Sequence, residues 1–473
     1  MIKNAVRGSS ARTRTLLLAT AATMSIVIGS AAQAQSSNIE DPTNSYREAQ
    51  DGGSTGPTNF YREPQTLVPV STYLDPQIVI AGPPGTPTTA RDPNNVTGVG
   101  QMIVDEQTGF ISLCTGTLIN PRTVIFAAHC VNERAANAYG QNSGGQPIGF
   151  GFGSNNNVAG ASAFGGWLGN YATNTSRFMF DANYVAYNPL SLEPDAVGFL
   201  YGDIAIASLD TPAAGIPTWA LLFSALPTPS TATAAGTGYH VVIDGYGNNG
   251  TGVTGSTGGI DYRRRIAENM IGGLASLNDF EGFIFGSPVD PKLNQNLYWI
   301  DFDDPRRGSA QASLFDFNAW RDNAVVSGGV AQEGITASGD SGGPLILDRT
   351  YTRQLVIGVL SGGYTRFFNG QPANGYGTAS FYQPLYLYWD WIAANNPYHY
   401  VSAVAGNGNW TDAAHWVTNL DPNYYVINGG AAVNGVPTTP GAGTADQPGF
   451  GQACYETGGV SDCLDVATGT ETV

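Results

Sequence analysis

Three short segments of this 473-residue chain carry the residue types of nucleophilic catalysis. A serine hydroxyl is a poor nucleophile until a base takes its proton. The base in turn needs a carboxylate to hold its tautomer and orientation. Ser341 lies in Gly339-Asp340-Ser341-Gly342-Gly343-Pro344, just before an apolar strand at Pro344–Leu347. Glycines on both sides of a serine allow a tight turn and close approach of a substrate backbone. A plain glycine-rich turn is the competing reading, and six residues of this kind ahead of a strand argue against it. His129, in Ala127-Ala128-His129-Cys130, is the candidate base and follows the strand-like Thr123–Ala127. The other histidines are 240, 399 and 415. His240 falls within a strand pattern, and the last two fall near or beyond residue 398. Asp203 begins the alternating strand Ile204–Leu209 and is the candidate orienting carboxylate. Its competitors are Asp195, with no apolar strand immediately behind it, and Asp210, which ends the strand beside Thr211-Pro212.

In the order His129, Asp203, Ser341 these segments resemble the chymotrypsin-like serine proteases, over about residues 96–397. Gly245-Tyr246-Gly247 is similar to a Gly-Trp-Gly turn of that family. The resemblance implies an all-β fold of two six-stranded antiparallel β-barrels packed perpendicular, with a closing helix at Leu385–Asn395. It implies an oxyanion hole made by the N–H groups of Gly339 and Ser341. It places Ile335 and Thr336 at the base of a specificity pocket, Ser361-Gly362-Gly363 along its wall and Gly377 on its far side. No charge stands at that base, so small to medium apolar residues are expected before the scissile bond. The family's aspartate before the serine pairs with an amine freed by activation cleavage. The stretch Asn95-Val96-Thr97-Gly98-Val99-Gly100 offers no Ile-Val-Gly-Gly sequence for that role, which leaves the partner of Asp340 open.

Around these segments the elements read as short strands and turns. Charged residues are 12% and glycines number 62, which suits a loop-rich β protein. Thr117–Ile119 and Thr123–Ala127 read as a hairpin around Asn120-Pro121, and His240–Tyr246 as a further strand. Residues 140–180 and 248–259 read as Gly/Asn/Ser/Thr-rich surface insertions. They account for much of the long spacing between the three candidates. Tyr388, Trp391 and Ile392 are spaced to face a core from the closing helix.

Residues 1–34 read as a secretory signal: Lys3, Arg7, Arg12 and Arg14, an apolar run Leu16–Ile28, then Ala32-Gln33-Ala34. The run is short for a bilayer span, and no other stretch is long and apolar enough, so no stable membrane span is expected in the mature chain. The expected location is secreted, periplasmic or at the cell surface. The formal charge is −17, and the signal holds four bases and no acids, which leaves −21 in the mature chain. Nucleic acid is excluded as a partner, because phosphate binding needs a basic patch. The expected partners are protein or peptide substrates.

Four cysteines in an exported chain suggest disulfides. Of three pairings, the local one is favoured: Cys114–Cys130 and Cys454–Cys463. Cys114–Cys130 matches the family's bridge beside the catalytic histidine. Residues 35–95 are rich in Pro, Thr and Gly and carry a tandem repeat, Pro42–Gln50 and Pro57–Gln65. They read as a linker, with a docking pro-segment as the alternative. Residues 398–473 read as a Gly-rich β extension. Gly408-Asn409-Trp410-Thr411-Asp412, Trp416 and Gly435-Val436-Pro437 resemble one repeat of bacterial autotransporter passengers. Asp301, Asp303 and Asp304 lack the glycine and terminal glutamate of a calcium loop and read as a solvated acidic turn. No metal and no cofactor are expected. The resulting expectation is a secreted serine endopeptidase. The alternative is an adhesive or self-processing passenger that retains a protease fold.

Overall fold

Alternation of apolar and small residues along the first half of the chain closes a sheet on itself. The structure, a computed structural model, describes residues 66–69, 78–80, 94–140, 144–157, 162–192, 201–229, 236–286, 294–327, 330–439, 448–457 and 460–472. The signal, the tandem repeat and Asp195 lie outside them. Strands β1 (Thr66–Pro69) and β2 (Val79–Ile80) precede the barrel proper. The barrel strands are β3 (Val96–Asp105), β4 (Phe110–Asn120), β5 (Thr123–Phe126), β6 (Ile148–Gly153), β7 (Met179–Tyr187) and β8 (Ala205–Leu209). They pair antiparallel in the order β4-β3-β6-β7-β8-β5, and β5 returns to β4, which makes a closed six-stranded barrel. Closure removes the exposed sheet edges that would otherwise invite association. β1 adds to β4 at Phe110–Leu113.

The expected surface insertion at 140–180 is instead part of this barrel. In Ile148-Gly-Phe-Gly-Phe-Gly153 the phenylalanines point inward, and both Phe150 and Phe152 are fully buried. Phe126–Phe150 and Phe152–Phe180 meet edge to face, with centroids 5.6 and 5.9 Å apart. The alternating glycines leave room outside for helix α1 (Ala163–Asn170). A Cβ on Gly149 would lie 2.9 Å from the Trp167 ring, and one on Gly151 would lie 2.7 Å from Phe164. Glycine content thus marked a close helix–strand contact rather than a loop. Ser162 caps α1, and Trp167 Nε1 donates to Asp181 Oδ1 of β7 at 3.2 Å.

The second half builds a larger sheet. Its strands are β9 (Leu221–Leu222), β10 (His240–Gly245), β12 (Arg265–Met270), β13 (Gly273–Ser276) and β14 (Asn296–Asp301), joined further along by β18 (Pro344–Leu347), β19 (Leu355–Tyr364) and β20 (Ala379–Pro384). The main path is β12-β10-β18-β19-β20-β14-β13. β11 (Gly250–Thr251) and β17 (Gly334–Ile335) sandwich β2, and β15 (Val326–Ser327) and β16 (Val330–Ala331) form a small hairpin. Residues 78–80, within the segment read as a linker, are therefore buried between two strands of the second half. Helix α2 (Leu277–Phe285) opens with a capping box at Ser276 and Asp279. The expected closing helix is a 3-10 turn, Leu385–Leu387, followed by α3 (Trp389–Asn395). Tyr388 and Ile392 are buried, and Trp391 is half-buried.

Arg264 joins the halves. Fully buried, it donates to Phe152 O at 3.1 Å and to Tyr246 Oη at 3.2 Å, beside Asp244. Tyr246 Oη donates to Gly153 O at 2.8 Å. The C-terminal strands are β21 (Tyr400–Ala403), β22 (Trp416–Asn419), β23 (Tyr424–Asn428), β24 (Ala431–Asn434), β25 (Phe450–Thr457), β26 (Val460–Asp465) and β27 (Thr470–Thr472). β23 runs parallel to β9, and β25 pairs with β13, so the extension continues the large sheet. Both expected disulfides are present, Cys114–Cys130 and Cys454–Cys463. They fit an oxidising compartment. Among the described residues, no helix is long and apolar enough to cross a membrane.

Asp181 yields a test of the barrel. Burial pushes its carboxyl up to about 7, against the hydrogen bond from Trp167, and Asp210 adds repulsion. The unfolded carboxyl ionises near 4, so stability falls as pH rises from about 4 to about 7. Asp181→Asn should match the parent near pH 4 and exceed it at pH 8 by roughly 2 kcal/mol in urea unfolding. An equal difference at both pH values would contradict this account.

Candidate active site

The register of two adjacent barrel strands brings a histidine and an aspartate to one end. β5 pairs with β8 so that Phe126 faces Ala205, which places the residues after β5 beside those before β8. The chain leaves β5 in a single 3-10 turn, Ala128–Cys130, that carries His129. His129 Nδ1 and Asp203 Oδ2 are 2.8 Å apart, and the His129 backbone N–H donates to Asp203 Oδ1 at 2.7 Å. One residue thus engages both oxygens of the carboxylate, and both residues are at most 1% exposed. A carboxylate on Nδ1 favours the tautomer with its proton there, which leaves Nε2 as the basic nitrogen.

Two supports hold this pair. Cys130, the neighbour of His129, is bridged to Cys114 on β4. Gly202, before Asp203, has φ +68, and its N–H donates to Tyr388 Oη at 2.7 Å. A Cβ there would lie 2.5 Å from Leu190, so glycine alone fits this turn. Tyr388 Oη also donates to Gln295 Oε1. The sequence marks Tyr388 as core; nothing local signals that its hydroxyl anchors the turn presenting Asp203.

The Ser341 turn sits against the same end of the barrel. Ser341 O accepts from Thr115 N at 2.8 Å, and Thr115 Oγ1 donates to Gly339 O at 3.0 Å. Thr115 follows Cys114, so one residue pair on β4 reaches both the serine turn and the histidine turn. Gly342 has φ +82, and a Cβ on it would lie 2.8 Å from Ala127 N and 2.4 Å from Thr115 O. That contact packs the turn on the residues that lead into His129. The N–H groups of Asp340, Gly342 and Gly343 are taken by Ala337 O, Leu360 O and Asp340 O. Asp340 is buried, and its carboxylate accepts from Gly247 N at 2.7 Å and Ala337 N at 2.9 Å. The Gly245-Tyr246-Gly247 segment therefore wraps that side chain.

The remaining sequence-derived positions lie on or beside β17, β19 and β20. Ile335 is fully buried and pairs with Val79. Thr336 Oγ1 and Ser380 Oγ are 2.7 Å apart, and Thr336 O accepts from Asn374 Nδ2 at 3.0 Å. Ser361 lies at a register shift between β19 and β20, a bulge of the kind that re-aims backbone. Gly362 and Gly363 continue β19 beside β20, and Gly377 donates to Phe302 O at 2.7 Å.

The reading of Asp301, Asp303 and Asp304 as a solvated acidic turn is overturned. All three are about 1% exposed. Asp304 is paired with Arg306 at 2.6 Å. Asp301 and Asp303 lie with Asp322, their carboxylate oxygens within 4.8 Å of one another. Glu333 stands beside them and accepts from Asp303 N and Val325 N, each at 2.7 Å. Burial, reinforced by the neighbouring carboxylates, raises Asp303 and Asp322 well above the ordinary carboxylate range. Asp322 and Glu333 lie too far along the chain from Asp301 for any spacing rule to join them. Of the His/Cys groupings, Cys114, His129 and Cys130 are also close, but both thiols are used in the disulfide.

No protein-family model matches this chain, and no curated protein matches it.

The Cys114–Cys130 bridge closes a span of 16 residues. Replacing both cysteines by alanine should cost about 3 kcal/mol in reversible unfolding. It should also speed hydrogen exchange at the His129 backbone N–H, which donates to Asp203, because the His129 turn loses a tether. An unchanged exchange rate there would mean that the bridge serves global stability alone.

Proposed function

We propose that this chain is a secreted serine endopeptidase, similar to the chymotrypsin-like proteases, with His129, Asp203 and Ser341 as its triad. The observation that carries the reading is the buried His129–Asp203 pair, made through both carboxylate oxygens, beside the packed turn of Ser341. In this reading the large sheet supplies the second barrel, perpendicular to the first, and substrate lies between them. His129 Nε2 takes the proton of Ser341 Oγ as the oxygen attacks the scissile carbonyl. The N–H groups of Gly339 and Ser341 receive the oxyanion that develops, so they favour the transition state over the substrate. His129 then passes its proton to the leaving amine, and water releases the acyl group by the same steps. Asp203 holds the ring in place and steadies the imidazolium.

Ile335, Thr336, Ser361, Gly362, Gly363 and Gly377 border the substrate in this proposal. Their uncharged character supports small to medium apolar residues before the cleaved bond. A second reading, an adhesive or self-processing passenger, draws on one observation. The hairpin β21–β22 leaves Val401, Val417 and Trp410 exposed, the last at 81%.

The test is labelling with a fluorophosphonate, read by intact mass. The chain from Gln35 should take one adduct, lost in Ser341→Ala and His129→Ala. Asp203→Asn should keep the fold and lower peptide turnover on the order of 10⁴-fold. A folded parent that takes no adduct would sink the enzyme reading. Labelling without cleavage of added proteins would favour the passenger. In a peptide library, cleavage dominated by charged residues before the scissile bond would overturn the pocket assignment.

A further inference from the structure

The triad leaves unexplained four buried carboxylates in one place. Asp301 ends β14, Asp303 follows it, and Asp322 and Glu333 return from the loop between β14 and β17. Each is at most 3% exposed. Burying a charge without compensation is strongly unfavourable. Arg307 is the cation at hand, and it bonds Asp303 Oδ1 and both oxygens of Asp316. Its guanidinium therefore approaches from one side and answers two carboxylates.

The other sides show what is missing. Asp301 Oδ2 accepts from Trp320 N at 3.2 Å, but no N–H or hydroxyl donor reaches Asp301 Oδ1, and only a proton shared with the neighbouring Asp322 carboxyl would join the two. Asp303 Oδ2 and Asp322 Oδ1 are likewise buried without such a donor. Orphaned buried oxygens of this kind are rare in folded proteins. Glu333 differs, since both its oxygens are held by backbone N–H groups. One oxygen from each of the three carboxylates lies within 4.8 Å of the others, and each carboxylate has an oxygen that no N–H or hydroxyl donor reaches. Oxygens that share an ion at 2.3–2.6 Å can stand no more than about 5 Å apart, and these groups meet that limit.

We propose that Asp301, Asp303 and Asp322 bind one divalent cation of the calcium class, with Glu333 and Arg307 orienting them from outside. An all-oxygen, carboxylate-rich set suits a hard cation and not zinc or copper. The site would fasten the loop 302–333 to the body of the second sheet. Asn269 Nδ2 already bridges Asp301 O and Gly334 O, at 2.8 and 2.9 Å, so the ion lies one strand from the approach to Ser341. Loss of the ion should loosen that loop before the first barrel, which holds none of these carboxylates.

The experiment uses the chain from Gln35, stripped with EDTA and dialysed. Calcium at about 1 mM should raise Tm by about 5 °C. Terbium should give luminescence excited through tryptophan, since Trp320 adjoins the site, and calcium should quench it by displacement. Asp322→Asn should lose both responses while keeping its circular dichroism. Absence of both responses in the parent would overturn the proposal and leave protons shared among the carboxylates. An undiminished response in Asp322→Asn would place the ion elsewhere and overturn it equally. If Asp322→Asn does not fold, anomalous diffraction from a terbium-soaked crystal of the parent decides. A peak among Asp301, Asp303 and Asp322 supports the site, and a peak elsewhere or none refutes it.

Discussion

Asp203 commits both of its oxygens to one residue, and much of the molecule is arranged to keep that possible. A carboxylate removed from water is tolerable only when donors meet it in good geometry. Here the donors are the backbone and ring of His129. Neither can move without exposing a buried charge, so the 3-10 turn after β5 and the glycine turn before β8 must hold a fixed relation. The closed barrel fixes it from below through the β5–β8 pairing. The Cys114–Cys130 bridge and Tyr388 fix it from the two sides.

The Ser341 turn obeys a different constraint. Its glycines make it permissive, so its shape must come from outside. Thr115 supplies two hydrogen bonds from the first barrel, and Asp340 anchors on Gly247 and Ala337 in the second half. The turn is thus held by both halves of the chain at once. The Arg264–Tyr246 contacts with Phe152 and Gly153 lock the same boundary a few residues away. A turn held by two halves needs such a lock, because small shifts between them would unseat Gly342 from Ala127 and Thr115.

The legible parts of the sequence were those where neighbours in the chain are also neighbours in function. The β4–β5 hairpin, the strand after Asp203, both local disulfides and the strand after Ser341 were all readable. Residues 140–180 misled because glycine on the outside of a strand looks like glycine in a loop. Only the packing of Trp167 and Phe164 separates the two cases. The strand at Val79 was hidden because two residues carry no period, and its partners lie far along the chain. Thr115 and Tyr388 look like ordinary strand and core residues until their hydroxyls find Gly339 O and Gly202 N.

Both halves are filled by apolar packing, and they differ in where buried charge is gathered. One apolar core runs through both halves, and a further cluster of aromatic rings around Phe280, Trp299 and Trp320 lies in the second. Beneath the second sheet, the loop 302–333 is fastened by carboxylates, Arg306 and Arg307. Apolar packing keeps its strength across pH and ionic conditions far better than a cluster of like charges does. Each half thus holds buried carboxylates that answer to pH, Asp181 in the barrel and the Asp301 cluster in the second half. The strand that leads from Glu333 through Ile335 to Ser341 hangs on the loop that gathers that cluster. A change in the charge of that cluster therefore acts first on the approach to Ser341, and ionisation of Asp181 acts first on the barrel.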